Sequence, residues 1–423
     1  MGSGCLQRRS LHFAALSVRD EERCESTLKF SQRGTLTEHV AGFTSTGSKN
    51  PEILFGAIDP DLPSRMVHSS GYRVWDENDR EYIDYIMGLG AVALGYGYSE
   101  VTRAVVEAVE DGVVGPLAPV IEEDLAAQIS DLMPWIEQVR FLKTGAEAMA
   151  AAVRLARVAT GRDRILGCGY HGWLDWCQSA EGVPRSTREL YGELPFNDAA
   201  SSRELIRAAG DKLAAVCFEP VIQREPDPEW LAVIREETER VGALLIVDEI
   251  KTVCRIAVGG ACERYGIHPD LVVMGKALAN GFPLAAVGGR AEVMAGVTRT
   301  WISSTLATEF VSLAAARATL DVMVARRVPQ HLGRVGARLL EGLVRLQQAH
   351  PELVTGVGGI PEMCFLQYVD EAASRAVTAG CARAGLLFKR SAFNFVSLAH
   401  DDPVIERTLA LLAEALSTVA KPA

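Results

Sequence analysis

The sequence predicts an α/β fold with a mostly parallel sheet covered by helices, and three apolar runs carry that prediction. Residues 213–221 (LAAVCFEPV), 244–247 (LLIV) and 271–274 (LVVM) are short, largely apolar runs. Short unbroken apolar runs are the mark of strands buried on both faces, as parallel strands are. Each run ends in charge. The first reaches Glu219, the second Asp248 and Glu249, and the third Gly275-Lys276. In an open α/β sheet the strand ends open onto the ligand crevice.

The remaining elements follow in chain order. Residues 42–50 (GFTSTGSKN) are polar and glycine-containing, hence a loop, with Lys49 its only cation. Residues 71–86 (GYRVWDENDREYIDYI) read as two strands about a turn at Glu77-Asn78-Asp79. A glycine-rich passage follows at 88–97 (GLGAVALGYG), and residues 100–113 and 122–132 have helical spacing. In 138–164 a strand over 139–142 meets a turn at Thr144-Gly145, and an alanine-rich helix then runs to about Gly161. A helix start with small residues offers unpaired N–H groups and the positive dipole end, which suits a phosphate. Residues 165–176 (ILGCGYHGWLDW) hold Tyr170-His171-Gly172, and 182–198 form a Gly/Pro/Ser-containing loop of the length of a lid. Residues 311–325 and 333–350 again have helical spacing, and the chain shows no internal repeat.

Composition narrows the function. The 423 residues carry a formal net charge of −11, which argues against a nucleic-acid or anionic-membrane surface. The nine cysteines are scattered without metal-like spacing and read as reduced thiols of a cytoplasmic protein. The eight histidines do not cluster, so no metal site is expected. No run is long and apolar enough to span a bilayer. Leu6 stands where a myristoylation site needs Ser or Thr, and the apolar stretch after Arg8-Arg9 is short and broken by charges. Residues 1–40 are therefore expected to be an extension.

An acid and an amine delivered by neighbouring strand ends have a chemical use beside the structural one of an ion pair. An amine in an apolar site loses basicity and becomes a nucleophile towards aldehydes. A carboxylate can keep a pyridine nitrogen protonated, so that the ring withdraws electrons from a breaking bond. Pyridoxal phosphate chemistry needs both, and Lys276 and Asp248 are the candidates.

The stretch 244–289 resembles the class III aminotransferase signature: an acid pair after an apolar strand, a glycine-rich segment, Pro-Asp, Gly-Lys-Ala and then Asn-Gly-x-Pro. It is most similar to the glutamate-1-semialdehyde aminomutase branch, and the likeness extends over about 42–416. The resemblance implies the fold type I arrangement, with a seven-stranded, mostly parallel sheet in a large domain. It places an extension at 1–40, a small α+β domain at 41–95 and 316–423, and the large domain at 96–315. Lys276 is then the Schiff-base lysine and proton carrier, Asp248 the partner of the pyridine nitrogen, and Tyr170 the stacking ring. His171 flanks the ring, Glu219 positions it, and Ile250 packs on its other face. Thr144, Gly145 and Ala146 form the phosphate turn. Ser304 and Thr305 match the segment that binds the neighbouring subunit's phosphate, which implies a homodimer with shared sites.

Several residues depart from the family pattern. Ala146 replaces a threonine of the phosphate turn, and 307–310 (ATEF) replaces Ser-Gly-Asn-Pro. In 385–400 (GLLFKRSAFNFVSLAH), which matches the last strand pair of the aminomutases, the glutamate that follows Ser-Ala-Phe is missing and the loop is two residues shorter. Lys389-Arg390 stands where a neutral pair is usual. These changes point to a transaminase acting on small amine and carbonyl substrates, one of them anionic, with Lys49, Arg390 and Asn394 as substrate candidates. An aminomutase and a non-catalytic cofactor-binding relative are the other activities that the resemblance allows.

Overall fold

The computed structural model describes residues 39–391 and 393–420. The expectation for the N-terminal extension thus lies almost wholly outside the described residues. The chain divides into two compact units, Met1–Asn50 and Pro51–Ala423. In the first, the described part contains one 3-10 turn, Gly47–Lys49, within the expected loop.

The second unit is built on sheets whose strands, in chain order, are β1 (Met66–Ser70), β2 (Arg73–Asp76), β3 (Glu81–Asp84), β4 (Gln138–Leu142), β5 (Arg164–Cys168), β6 (Tyr191–Glu193) and β7 (Leu213–Phe218). They continue with β8 (Leu244–Asp248), β9 (Leu271–Met274), β10 (Ala285–Gly289), β11 (Val354–Ile360), β12 (Met363–Tyr368), β13 (Leu386–Leu387) and β14 (Asn394–Phe395). The central sheet has seven strands in the order β4-β10-β9-β8-β7-β5-β6. The pairs among β9, β8, β7, β5 and β6 are parallel, and β10 runs antiparallel to both of its neighbours. All six residues of β7 and all four of β9 are buried, as their unbroken apolar composition requires.

The helices start and stop where side chains dictate. Gly145–Thr160 begins at a reciprocal cap between Thr144 and Glu147 and ends at Gly161, whose φ of 68° is the left-handed stop that glycine accepts most readily. Pro228–Val241 starts at Asp227 with proline in its first turn, and ends at Gly242 in the same left-handed conformation. The helices expected near 100–113, 122–132, 311–325 and 333–350 are Ser99–Glu110, Val120–Leu132, Phe310–Ala325 and Val328–Ala349.

Three expectations change in detail. β1 carries no apolar alternation and is mostly exposed, so its pairing with β2 had no sequence signal. The stretch expected as a lid contains a short helix, Arg185–Arg188, and β6, which adds itself to the central sheet beside β5. The last two strands do not pair with each other. β13 joins β3 in the four-stranded sheet, and β14 joins β12 in the three-stranded one.

Candidate active site

The C-terminal ends of β4, β5, β7, β8 and β9 lie along one edge of the central sheet, because these strands run in the same direction. That edge delivers Thr144, Tyr170 and His171, Glu219, Asp248 and Lys276 in turn. Separate stretches of sequence thus converge where α/β sheets bind ligands.

Asp248 is 2% exposed and accepts a 2.8 Å hydrogen bond from Nδ1 of His171, itself 3% exposed. Burial opposes a charge on the imidazole, but the Cys217 thiol and the Asp248 carboxylate outweigh it and hold His171 well above its ordinary pKa. The carboxylate is thereby fixed in direction beside a cation. Glu249, the second acid, is turned away. Fully buried, it accepts from the N–H groups of Ala261 and Cys262 at 2.8 and 2.6 Å and caps the helix Gly260–Tyr265.

Lys276 follows β9 in the left-handed region, with φ of 46°, a strained setting for a side-chain-bearing residue. Burial, and then the neighbouring Lys251 ammonium, push its amine down to about 8 from an ordinary 10.5. Glu219 and Asp248 act in the opposite direction and are outweighed. Glu219 accepts from the Tyr170 N–H at 3.0 Å and pairs with Lys251 Nζ at 2.9 Å. The Tyr170 side chain stands out at 66% exposure, with its ring free to be covered.

The residues present fit pyridoxal phosphate. At the start of the helix Gly145–Thr160 the N–H groups of Gly145 and Ala146 have no partner within the helix. The Thr144 hydroxyl is committed to Glu147, at 3.2 Å from its N–H and 3.1 Å from its carboxylate. Around this turn the backbone is pared down for close approach. A side chain on Gly169 would strike Glu219, and one on Gly172 or Gly145 would strike Ala146 or Ile250. Ile250 thus lies against the phosphate turn, on the side of the sheet edge that also holds Gly275. N–H donors for an anion, a buried carboxylate and a weakened amine on one edge are the donor set that the cofactor's phosphate, ring nitrogen and carbonyl require.

Other site candidates come from outside the central sheet. Ser304 is half-buried and Thr305 exposed, in a turn that precedes the helix Phe310–Ala325. Arg390 donates to Glu371 at 2.6 Å and to the Ile53 carbonyl at 3.1 Å. Asn394 is 1% exposed, and its amide accepts from the Lys389 N–H at 2.6 Å and donates to the Lys389 carbonyl at 3.2 Å, so it closes the loop. Lys49 lies in the first unit. Sequence reasoning missed two pairs, Lys251 with Glu219 and Lys143 with Glu309 at 2.6 Å. A lysine next to a turn gives no periodic signal, and each pair joins residues far apart in the chain.

Fold and site together define a pyridoxal-phosphate-dependent enzyme of fold type I. The class III aminotransferase family matches residues 58–419, and the chain belongs to that family. Among similar curated proteins are the glutamate-1-semialdehyde 2,1-aminomutases of Thermus thermophilus and Sorangium cellulosum. Each is 33% identical, over 89% and 90% of this chain and 96% and 95% of theirs. Among similar solved structures, the FumI protein of Sphingopyxis sp. MTA144, in its internal aldimine form with pyridoxal phosphate, has a TM-score of 0.83 at 27% identity, over 88% of this chain and 92% of its own. The β-phenylalanine aminotransferase of Variovorax paradoxus has a TM-score of 0.78 at 27% identity, over 86% of this chain and 90% of its own. No helix among the described residues is long and apolar enough to cross a membrane.

Proposed function

We propose that the protein is a transaminase that moves an amino group from an amino donor to a small carbonyl acceptor. The loop joining β13 to β14 carries this reading. It contains Lys389 and Arg390, is closed on itself by Asn394, and has no carboxylate. The aminomutase pattern has a glutamate there. Two cations and no acid suit a substrate with an anionic end, and leave out the acid that this pattern places beside the substrate. A similar solved structure named as an aminotransferase gives further support. The names of the curated relatives favour a second reading, an aminomutase that shifts the amine within one molecule.

Bound pyridoxal phosphate supplies an electrophilic carbonyl and an electron-withdrawing ring. Lys276 carries it and moves a proton at the substrate carbon that bears the amine, as base and then as acid. Asp248, fixed by His171, would hold the proton on the pyridine nitrogen. Tyr170 and Ile250 would hold the ring, and Gly145, Ala146 and the helix start would hold the phosphate. Arg390 is the cation proposed for the anionic end. Arg390 would exchange the carboxylate of Glu371, which is 59% exposed, so little is lost. Trp301, Leu117 and Val120, at 83%, 81% and 79% exposure, support a homodimer in which Thr305 serves the neighbouring site. The division into a large domain at 96–315 and a small one from both flanks belongs to the same proposal, as does a cytoplasmic setting.

Two measurements test the reading. Borohydride reduction of the loaded protein is expected to leave the pyridoxyl mass on the Lys276 peptide, and Lys276→Ala to abolish it. The label on another lysine refutes the assignment. With donor alone, a transaminase releases one equivalent of keto product per site. If none is released while glutamate-1-semialdehyde is isomerised efficiently, the aminomutase reading replaces this one.

A further inference from the structure

Lys251 has no part in the roles given above, yet two parts of the site meet on it. The turn that follows β8 carries Lys251 and Arg255, and each reaches an aromatic ring near the last strand. Lys251 Nζ lies 4.9 Å from the centroid of the Phe393 ring, and the Arg255 guanidinium carbon 4.8 Å from that of Phe395. Arg255 is fully buried and donates to the carbonyls of Val396 and Gly90, both at 2.9 Å, so it fastens the core. Lys251 differs at its other side. Its Nζ pairs with Glu219 Oε1 at 2.9 Å, with the side chain 16% exposed, and Glu219 Oε2 holds the Tyr170 N–H at 3.0 Å. An ammonium so enclosed is costly unless it is paired, and a carboxylate on one side and an aromatic face on the other pin it in one place. A continuous series of contacts therefore runs from the Tyr170 backbone through Glu219 and Lys251 to Phe393. Phe393 stands beside Asn394, whose amide closes the loop onto Lys389, with Arg390 enclosed between them. The two strands that this loop joins, β13 and β14, lie in different sheets, neither of them the central one.

We propose that Lys251 is a positioning residue of this site: bridging Glu219 and the Phe393 ring, it fixes the loop between β13 and β14 against the sheet edge that carries Tyr170, and so sets how far from the reacting amine the anionic end of a substrate is held. The inference rests on the reading that this loop receives the anionic end. In this role Lys251 acts through Phe393 and Glu219 and touches no substrate. A loop held at one separation favours donors of one length, because only those reach the cation and the reacting position together. A loop set free tolerates longer and shorter donors, and favours none of them as strongly.

The test reads donor length. Unbranched amino donors ending in a carboxylate, with increasing numbers of methylenes, are compared with their methyl esters by kcat and KM, using the full-length holoenzyme. The wild type is expected to prefer one length among the carboxylates, with the preference expressed in KM, and none among the esters. Lys251→Met keeps most of the stem and loses both the ion pair and the cation–π contact. It is expected to reduce the length preference roughly threefold or more, the scale of one cation–π contact. Lys251→Arg keeps the charge and is expected to retain the preference. Phe393→Leu breaks the link from the other side and is expected to act like Lys251→Met, and it carries the test if that variant does not fold. The double variant should lose no more than either single one, since both remove the same link. A merely structural role would instead lower kcat/KM by one factor for every length and for the esters. That outcome, additive losses in the double variant, an unmoved preference in Lys251→Met, or a wild type without a preferred length overturns the proposal. A wild type that treats carboxylates and esters alike overturns the functional reading of the loop instead, whatever the variants do.

Discussion

At the scale of single residues, the site depends on what each side chain is already committed to. Thr144 is the natural hydroxyl donor for a phosphate at this turn, but its hydroxyl serves the helix cap with Glu147. Ala146, at the second helical position, supplies an N–H and no hydroxyl. Ala146→Thr is therefore expected to slow cofactor loss on dialysis. A hydrogen bond to a charged group is worth about 1.5–3 kcal/mol, which corresponds to a rate lowered by roughly tenfold or more. An unchanged rate means that another group already makes the contact. Asp248 and Lys276 were legible because each follows an apolar run, where a charge has no reason to be unless it meets a ligand or a partner. His171 was legible as a neighbour of Tyr170 but not as the partner of Asp248, since the two lie 77 positions apart and meet only through sheet order.

At the scale of elements, the turn after β9 has two tasks. It presents Lys276 and then stops at Asn280, whose φ of 45° is tolerated by asparagine better than by most residues. The Asn280 amide accepts from the N–H groups of Ala93 and Leu94 at 3.0 and 2.9 Å and donates to the Gly95 carbonyl at 3.1 Å. The glycine-rich passage 88–97 is thus the surface on which the lysine turn is seated. Asn280→Ala leaves two buried N–H groups unpaired and is expected to cost about 2–4 kcal/mol in denaturant unfolding. It should also weaken cofactor retention, because the Lys276 backbone loses its support. Full stability in the variant would mean that the seating is carried by other contacts.

At the scale of the whole molecule, His400 couples the fold to acid. Its imidazole is fully buried, and Nδ1 accepts from the Ser397 N–H at 3.1 Å. Burial pushes it down from an ordinary 6.5 to about 3. The unfolded chain therefore binds this proton between pH 3 and 6.5 while the folded one does not, so stability falls as pH drops through that window. One such group contributes a slope of about 1.4 kcal/mol per pH unit. His400→Asn, which keeps an acceptor and cannot charge, is expected to flatten the acid limb of the stability profile by that amount relative to wild type. Equal slopes in urea unfolding at pH 7, 6 and 5 would show that His400 is not the acid-sensitive group.

The sequence alone determined the fold class, because runs buried on both faces must be apolar throughout and so remain visible as runs. It also marked an acid, an amine and a helix start as candidates, since each sits immediately after a strand and its position follows from that strand. Tertiary structure decided which of the remaining polar groups are free. Asn394 is used up in closing its own loop, Arg390 is held by Glu371, and Glu249 caps a helix. It also decided that Lys251 pairs with Glu219, a relation set by the neighbouring order of β7 and β8. The physical reason is range. Burial and turn chemistry act on neighbours in the chain and leave a local trace, whereas hydrogen-bond commitments and electric fields act between residues that only the packed sheet brings together.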